Sequence, residues 1–450
     1  MNKIIISLLT LVTLIFATTT NSFCQSPVDS SERWSTHFQL SFVNQWHGHY
    51  HFPYAGPSSL DSNKEQALSM TATLFVGRKL WKNGAIYFNP EITGGKGLSG
   101  THGMAGFPNG EIYRVGNPTP TPFIARLYYQ QHFPLGNSHD TPVNDDFNQV
   151  KGTVPSSRIT INIGKFCLAD FFDDNNYNHD ARTQFLNWSL MQHGAWDFPA
   201  DTRGYTSGFE IELVKPGYAI RYALVQMSKT ANALDMDWDL VRYNGQTLEF
   251  ERKYSLLHAA GVVRLTGYIN TARAPRYTDG IKALKVGDSS LVPIFAGNAL
   301  GPDKPTAKYG VALNIEQAIC GQTGAFLRAS WNDGKTASWE FTDIDQNIQA
   351  GINAKGRAWK RPLDNFGLAV SVNGISKDHQ NYLKAGGYSF IIGDGNLNYG
   401  PEQIFETYYR AMLNSFLSVS LDYQLILNPG YNKDRKGPVS IPGVRVHLEL

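Results

Sequence analysis

Near the end of the chain, Leu417 to Pro429 reads LSVSLDYQLILNP, with apolar and polar residues in alternation. Leu417, Val419, Leu421, Tyr423, Leu425 and Leu427 share one face. Ser418, Ser420, Asp422, Gln424 and Asn428 share the other, and only Ile426 is out of step. A period of two predicts a β-strand. The same pattern opens the chain beyond its leader, where Trp34, Thr36, Phe38, Leu40 and Phe42 oppose His37, Gln39 and Ser41. It recurs in SMTATLFVGRKL, GAIYFNPEI, FIARLYYQQHF, SRITINIGKF, SGFEIELV, GYAIRYALVQ, AAGVVRLTGYI, AKYGVALNIEQ, AFLRASW, FGLAVSVNG and the terminal GVRVHLEL. With weaker stretches near 248–254, 335–342, 346–353 and 405–412, about sixteen to eighteen strands are predicted. No Pro- or Gly-rich linker divides them.

The faces opposite the apolar stripes carry charged and amide groups in strand after strand: Arg126 with Gln130, Asn162, Glu210 with Glu212, Arg221, Arg328, Asp422 with Gln424, and Arg445 with His447 and Glu449. In a soluble sandwich these sides would meet bulk water, and a chain of this size would normally split into domains. In a membrane barrel the order is inverted, with lipid outside and water inside. Two features favour the barrel. Val444, Val446, Leu448 and Leu450 alternate to the last residue, as in a strand that closes a barrel onto its first. Aromatic residues such as Trp34, Tyr129 and Tyr218 mark the ends of apolar stripes, as in interfacial girdles. The expectation is an all-β fold, a transmembrane antiparallel β-barrel.

Composition agrees: 42 Gly, 22 Pro, 9 Trp, 22 Tyr and 25 Phe beside 17% charged residues suit many strands and tight turns. At the start of the chain, Lys3 precedes an apolar run from Ile4 to Ala17, followed by polar and small residues. This predicts a signal peptide over 1–24, cleaved near Gln25, with the barrel occupying 25–450. The run is short for a spanning helix, and Phe23 is too large to precede a lipidated Cys24. Nothing beyond Gln25 approaches the roughly 20 apolar residues of a transmembrane helix. With 40 basic and 38 acidic residues, no nucleic-acid or polyanion partner is implied. Cys167 and Cys320 are too few for a disulfide scaffold, and whether they pair is left open.

Several segments resemble chemistry. Gly95, Gly97 and Gly100 have the G-x-G-x-x-G spacing, but the Gly- and Pro-rich run after them cannot form the helix a pyrophosphate needs. His47, His49 and His51 share a face of an extended segment and would suit a metal, or a loop at a barrel rim. Asp170, Asp173, Asp174 and Asp180 lie among asparagines, so calcium is the one cofactor considered, although the EF-hand spacing is missing and turn formation explains Asx residues as well. No nucleophile elbow or zinc-hydrolase motif is present.

Three runs, KGLSGTHGMAGFPNGEIYRVGNPTPTPFIARLYYQQHF, IGKFCLADFFDDNNYNHDARTQFLNWSLMQHGAWDFPADTRGYTSGFE and ETYYRAMLNSFLSVSLDYQLILNPGYNKDRKGPVSIPGVRVHLEL, resemble the carbohydrate-selective porin (OprB) family. The resemblance implies a sixteen-stranded outer-membrane barrel that passes small sugars and is not an enzyme. Leu450 departs from the aromatic residue with which such barrels usually end, which weakens the signal read by the barrel assembly machinery. A general porin sorting by size, a β-rich glycoside hydrolase and a plugged structural barrel are the rival readings.

A sugar presents pairs of hydroxyls and a weakly apolar face, so a selective pore needs forked donors and flat rings. Arg126, Tyr128 and Gln130 share a polar face and should enter the lumen if Ala125, Leu127 and Tyr129 meet lipid. Glu111 and Arg114 would add an acceptor and a donor from a loop, or pair with each other. The stretch from Ala181 to Tyr205 lacks a period of two, and Ala181, Phe185 and Trp188 at helical spacing predict a short helix after Asp180. A loop folded into the barrel should bring Arg182, Asn187, Trp196, Asp201 and Arg203 toward the constriction, while Phe185 and Trp188 pack on the wall. The partners expected are small neutral sugars, outer-membrane lipid and the assembly machinery of a Gram-negative outer membrane, with the barrel a monomer or homotrimer.

Overall fold

The computed structural model describes residues 33–112, 118–321 and 323–450; the predicted leader and Arg114 lie outside these. The barrel strands are β1 (Trp34–His47), β2 (Glu65–Trp81), β3 (Gly84–Gly95), β4 (Thr121–Pro134), β7 (Arg158–Phe166), β8 (Thr206–Lys215), β9 (Tyr218–Gln226) and β10 (Asn244–Leu256). The second half comprises β11 (Ala259–Ala272), β12 (Thr306–Cys320), β13 (Thr323–Asn332), β14 (Gln346–Gly356), β15 (Arg361–Gly374), β16 (Glu402–Met412), β17 (Leu417–Leu427) and β18 (Val439–Glu449). Each pairs antiparallel with its neighbours, and β18 closes on β1, with Phe42 opposite Val446. The remaining strands, β5 (Asp140–Val143) and β6 (Gly152–Pro155), form a separate hairpin.

The alternation is inside-out. On β17, Leu421 is 62% exposed and Tyr423 38%, while Asp422 and Gln424 are 4% and 0% exposed. The apolar side chains therefore face outward to lipid, and the polar ones face the lumen. All the charged and amide groups named above on strand faces point inward, Asn162, Glu210, Arg328 and Arg445 being buried. Ile426 breaks the pattern because it packs inside, with Leu60, Ile404, Val439 and Ile441, in a small apolar cluster near the rim. Trp34, Trp81, Phe133, Trp359 and Phe416 are exposed at one end, and Trp46, Tyr309 and Trp331 at the other, the two girdles of a membrane band.

The two ends differ. One is closed mostly by turns of two to four residues. The β10–β11 turn places Leu257 and His258 at positive φ, the twist a two-residue hairpin requires. Long loops leave the other end, the usual outer side of such barrels, and short helices lie there at Tyr277–Lys285, Val292–Phe295 and Lys377–Lys384. The expected strand at 335–342 is part of such a loop: Asp197 accepts the backbone N–H groups of Trp339 (2.9 Å), Glu340 (2.9 Å) and Phe341 (3.1 Å), which removes those donors from any ladder.

On β4 the register slips between Asn89–Arg126 and Pro90–Ile124. Pro90 has no N–H to offer, so the ladder bulges there. Ala125, expected against lipid, is the extra residue and is fully buried, whereas Ile124 and Leu127 are exposed. A charge on the lipid face tests the arrangement. Leu421→Arg should destabilise the barrel by about 2–4 kcal/mol, read as a lower unfolding midpoint in detergent or lipid.

Candidate pore constriction

The segment between β7 and β8, residues 167–205, turns into the lumen because the wall accepts its backbone. Glu249 accepts the N–H of Asp173 (2.9 Å), Glu316 that of Asn176 (2.7 Å), and Glu406 those of Leu186 (2.5 Å) and Asn187 (2.9 Å). Arg445 donates to the carbonyls of Ala181 (2.5 Å) and Gln184 (2.8 Å), and Arg328 to that of Asn178 (2.8 Å). Asp173 is fully buried against Arg328 at 2.8 Å. Although burial opposes it, Arg328 and His193 hold this carboxyl below its ordinary range. The loop thus lies against one side of the barrel and leaves passage along β1–β4.

There a cavity of about 620 Å³ runs from the long-loop end, at Phe341, Phe390 and Ile391, past the middle of the barrel to Phe75, Arg410 and Glu449. Its waist is charged. Arg182 donates through Nε to Glu111 (2.7 Å), through Nη1 to Gln39 (2.7 Å) and Thr73 (3.0 Å), and through Nη2 to Glu91 (3.1 Å). Arg126 grips Asp170 with Nε and Nη2 at 2.7 and 2.6 Å, and among the described residues Nη1 has no hydrogen-bond partner. The guanidinium stands 5.2 Å from the centre of the Tyr205 ring, and Arg203 lies 4.2 Å over Phe123. Aromatic rings line the cavity toward the long loops. Phe107 stacks on Trp188 at 5.2 Å, Trp188 on Phe341 at 5.3 Å, and Phe341 on Phe198 at 4.8 Å.

Residues 59–450 match the sequence model of the family described as "Carbohydrate-selective porin, OprB family". The chain belongs to that family. The likeness of fold extends to Pseudomonas putida OprB at high pH: TM-score 0.69, 14% identity, covering 93% of this chain and 94% of that one. Acinetobacter baumannii DcaP (TM-score 0.46, 10% identity, 95% of this chain and 100% of that) and Salmonella typhi OmpF (0.48, 8%, 95% and 100%) also align. No curated protein sequence matches. The protein is accordingly an outer-membrane channel and not a hydrolase.

The porin brings together only part of the predicted site. Arg126, Glu111, Arg182 and Arg203 line the cavity. Arg114 lies outside the described residues, and Glu111, its partner in the alternative reading, is held by Arg182. Tyr128 points inward but is 3% exposed, packed edge-on to Phe166 and Phe171. Gln130 donates to Asn162 (3.1 Å) and borders a side pocket instead. Asn187 caps the one-turn helix Trp188–Met191, seven residues beyond the expected start; 180–184 makes a single turn closed on the Asp180 carbonyl. Trp196 is buried between Phe172 and Phe198, and Asp201 is braced by Lys165 at 3.2 Å. Phe185 packs on the wall as expected, against Phe326 and Tyr408, whereas Trp188 also reaches the cavity. Sequence reasoning missed Gln39, Thr73, Glu91, Asp170 and Tyr205, although inward parity on β1–β3 would have flagged the first three.

The aspartates considered for calcium do not converge. Asp170 turns to Arg126, Asp173 to Arg328 and Asp174 toward Arg264, while Asp180 accepts the N–H of Arg182 (2.8 Å). Among the described residues no three metal-ligating side chains gather. His47 turns inward to Glu65 at 3.6 Å, and His49 and His51 are exposed. Cys167 and Cys320 are both free.

Burial raises Glu111 above its ordinary value even with Arg182 beside it, and the negative charges of Glu91 and Asp180 add to the rise. Arg182 itself stays charged: its burial is outweighed by Glu111 and Glu91. On acidification Glu111 should therefore take up its proton before an ordinary carboxylate would. The reversal potential in a salt gradient should shift toward anions from that pH downward, and Glu111→Gln should abolish this early step. Separately, Arg328→Met takes away the guanidinium that offsets Asp173 and leaves the buried carboxylate to His193 (3.2 Å) and neutral hydrogen bonds, at a cost of up to about 3–5 kcal/mol, which proteolysis within 167–205 should report.

Proposed function

We propose that this porin carries mono- or disaccharides by facilitated diffusion, down their gradient and without a cofactor. The observation that carries the reading is the pairing of forked guanidinium donors and carboxylate acceptors at the waist with stacked rings toward the long-loop end. Ionic groups braced against each other offer a neutral sugar spare N–H groups and lone pairs without adding net charge, and the edges of the stacked rings give its C–H groups an apolar wall. Arg126 and Arg203 act as donors and Glu111 as acceptor, with Arg182 clamping the acids in place. Tyr128, Asn187, Trp196 and Asp201 hold the frame behind them, and Gln130 serves a side pocket. Flux limits affinity, since a site that holds its substrate too firmly blocks the pore. Binding near the millimolar range, roughly −4 kcal/mol, suits it.

The leader-like start supports export by a signal peptide over 1–24 in a Gram-negative cell, and the terminal strand supports insertion by the barrel assembly machinery. The two girdles support direct contact with outer-membrane lipid. Because one barrel holds a complete waist, the same reading serves a monomer or a homotrimer.

Liposome swelling with a panel of mono-, di- and trisaccharides tests the proposal. The wild type should discriminate among sugars of equal size. Hydrogen bonds to charged groups are worth about 1.5–3 kcal/mol, so Arg126→Ala should weaken sugar block of the ion current on the order of tenfold or more while flux persists. Discrimination by size alone, unaltered in the variant, would mark a general porin.

A further inference from the structure

One connection at the short-turn end is unlike the rest. Where the other turns there span two to four residues, 135–157 links β4 to β7 and contains the β5–β6 hairpin. Its tip does not hang outside the barrel. Asp146 and Gln149 exchange backbone hydrogen bonds at 3.1 and 3.0 Å, which puts Phe147 and Asn148 at the apex, Asn148 with φ of 53°. Asp146 Oδ1 accepts the N–H of Phe147 (2.8 Å), and Gln149 donates to the carbonyl of Asn144 (2.9 Å). The tip is therefore braced from within.

The barrel wall is cut to receive it. On β1, Ser35 donates to the Asp146 carbonyl (3.4 Å) and His37 lies 3.3 Å from Asp145. Phe75 of β2, next to Thr71 and Thr73 on the inner face, meets the Phe147 ring at 4.6 Å. Lys79 donates to the Lys151 carbonyl (2.7 Å), and Asn89 of β3 to Asn148 Oδ1 (2.8 Å). Gly77 completes the seat: a Cβ there would stand 3.0 Å from both Tyr87 and Val150. Phe147 and Asn148 line the same cavity as the waist, together with Arg410 and Glu449, and a side pocket of about 280 Å³ lies behind the tip.

We propose that the tip Asn144–Gln149, folded into the lumen from the short-turn end, is a second filter of the pore, placed in series with the charged waist. Phe147 sets the width available to a solute, and Asn148, its side-chain oxygen taken by Asn89, offers amide N–H donors to hydroxyls. The sugar-reading half of this rests on the proposed function; the narrowing does not. It follows that solute size is limited twice, and that opening the waist alone leaves the exit cutoff in place.

Single-channel conductance in potassium chloride, with swelling by oligosaccharides of increasing length, tests the narrowing. In one variant a Gly-Ser linker of equal length replaces Asn144–Gln149. In a second, Gly77→Leu unseats the tip through Val150 with the tip sequence untouched. Phe147→Trp and Phe147→Ala form an opposed pair should Gly77→Leu fail to fold, and a heat-modifiable band certifies each barrel. The expected result is conductance raised by a factor on the order of two in the linker variant, since conduction follows pore radius, with longer sugars admitted, and lowered in Phe147→Trp. Unchanged conductance in a folded linker variant overturns the proposal. A wild-type pore blind to sugar identity but widened by the linker sinks the sugar reading alone; a sugar-selective pore the linker leaves unaltered sinks this proposal alone.

Discussion

Everything inside the barrel depends on wall side chains binding loop backbone. A segment that leaves a strand and enters the lumen carries N–H and C=O groups that must find partners. Inward carboxylates and guanidinium groups are equally costly to bury alone. Each satisfies the other: Glu249, Glu316 and Glu406 accept N–H groups of 173–187, and Arg328 and Arg445 donate to its carbonyls. Glu402 does the same for Ala105, Gly106 and Gly430 at 2.7–3.0 Å. Without these contacts a closed sixteen-stranded barrel would enclose a wide channel, and there would be no waist to select anything.

The same exchange fixes where the charged groups of the waist sit. Arg182 spends its donors on four acceptors from three strands and one loop, so its position is dictated by the wall and not by a passing solute. A preorganised site loses little entropy when a sugar arrives, yet each contact it can still offer is a spare N–H or lone pair and not a full ion pair. On that proposal the saturation would keep affinity modest, as flux demands. Under the proposed function, one structural fact serves both selectivity and throughput.

Membership of the carbohydrate-selective porin family and the inside-out barrel agree in physical terms. Outward Leu421 and Tyr423 need hydrocarbon; inward Asp422 and Gln424 need water or loop backbone. The arrangement leaves no strand edge exposed, since β18 pairs with β1, which is the condition for sheet structure within a bilayer.

Strand positions and faces were legible in the amino-acid order because a period of two is a local property: each residue's face follows from its neighbour's. Hence the parity of β17, the inward set from Asn162 to Arg445 and the closing strand could be read directly. Contacts between distant segments could not. Helical spacing at Ala181, Phe185 and Trp188 misled because Arg445 and Glu406, more than 200 residues on, claim the backbone of that stretch. Ala125 changed face because of Pro90 on the adjoining strand. Tyr128 was correctly turned inward yet lost to the pore, since Phe166 and Phe171 cover it. Glu111 found Arg182 instead of a neighbour in its own loop. Alternation decides which side of a sheet a residue occupies; which lumen residues stay open to a solute is decided by the loops that fold over them, and those are positioned by partners remote in sequence.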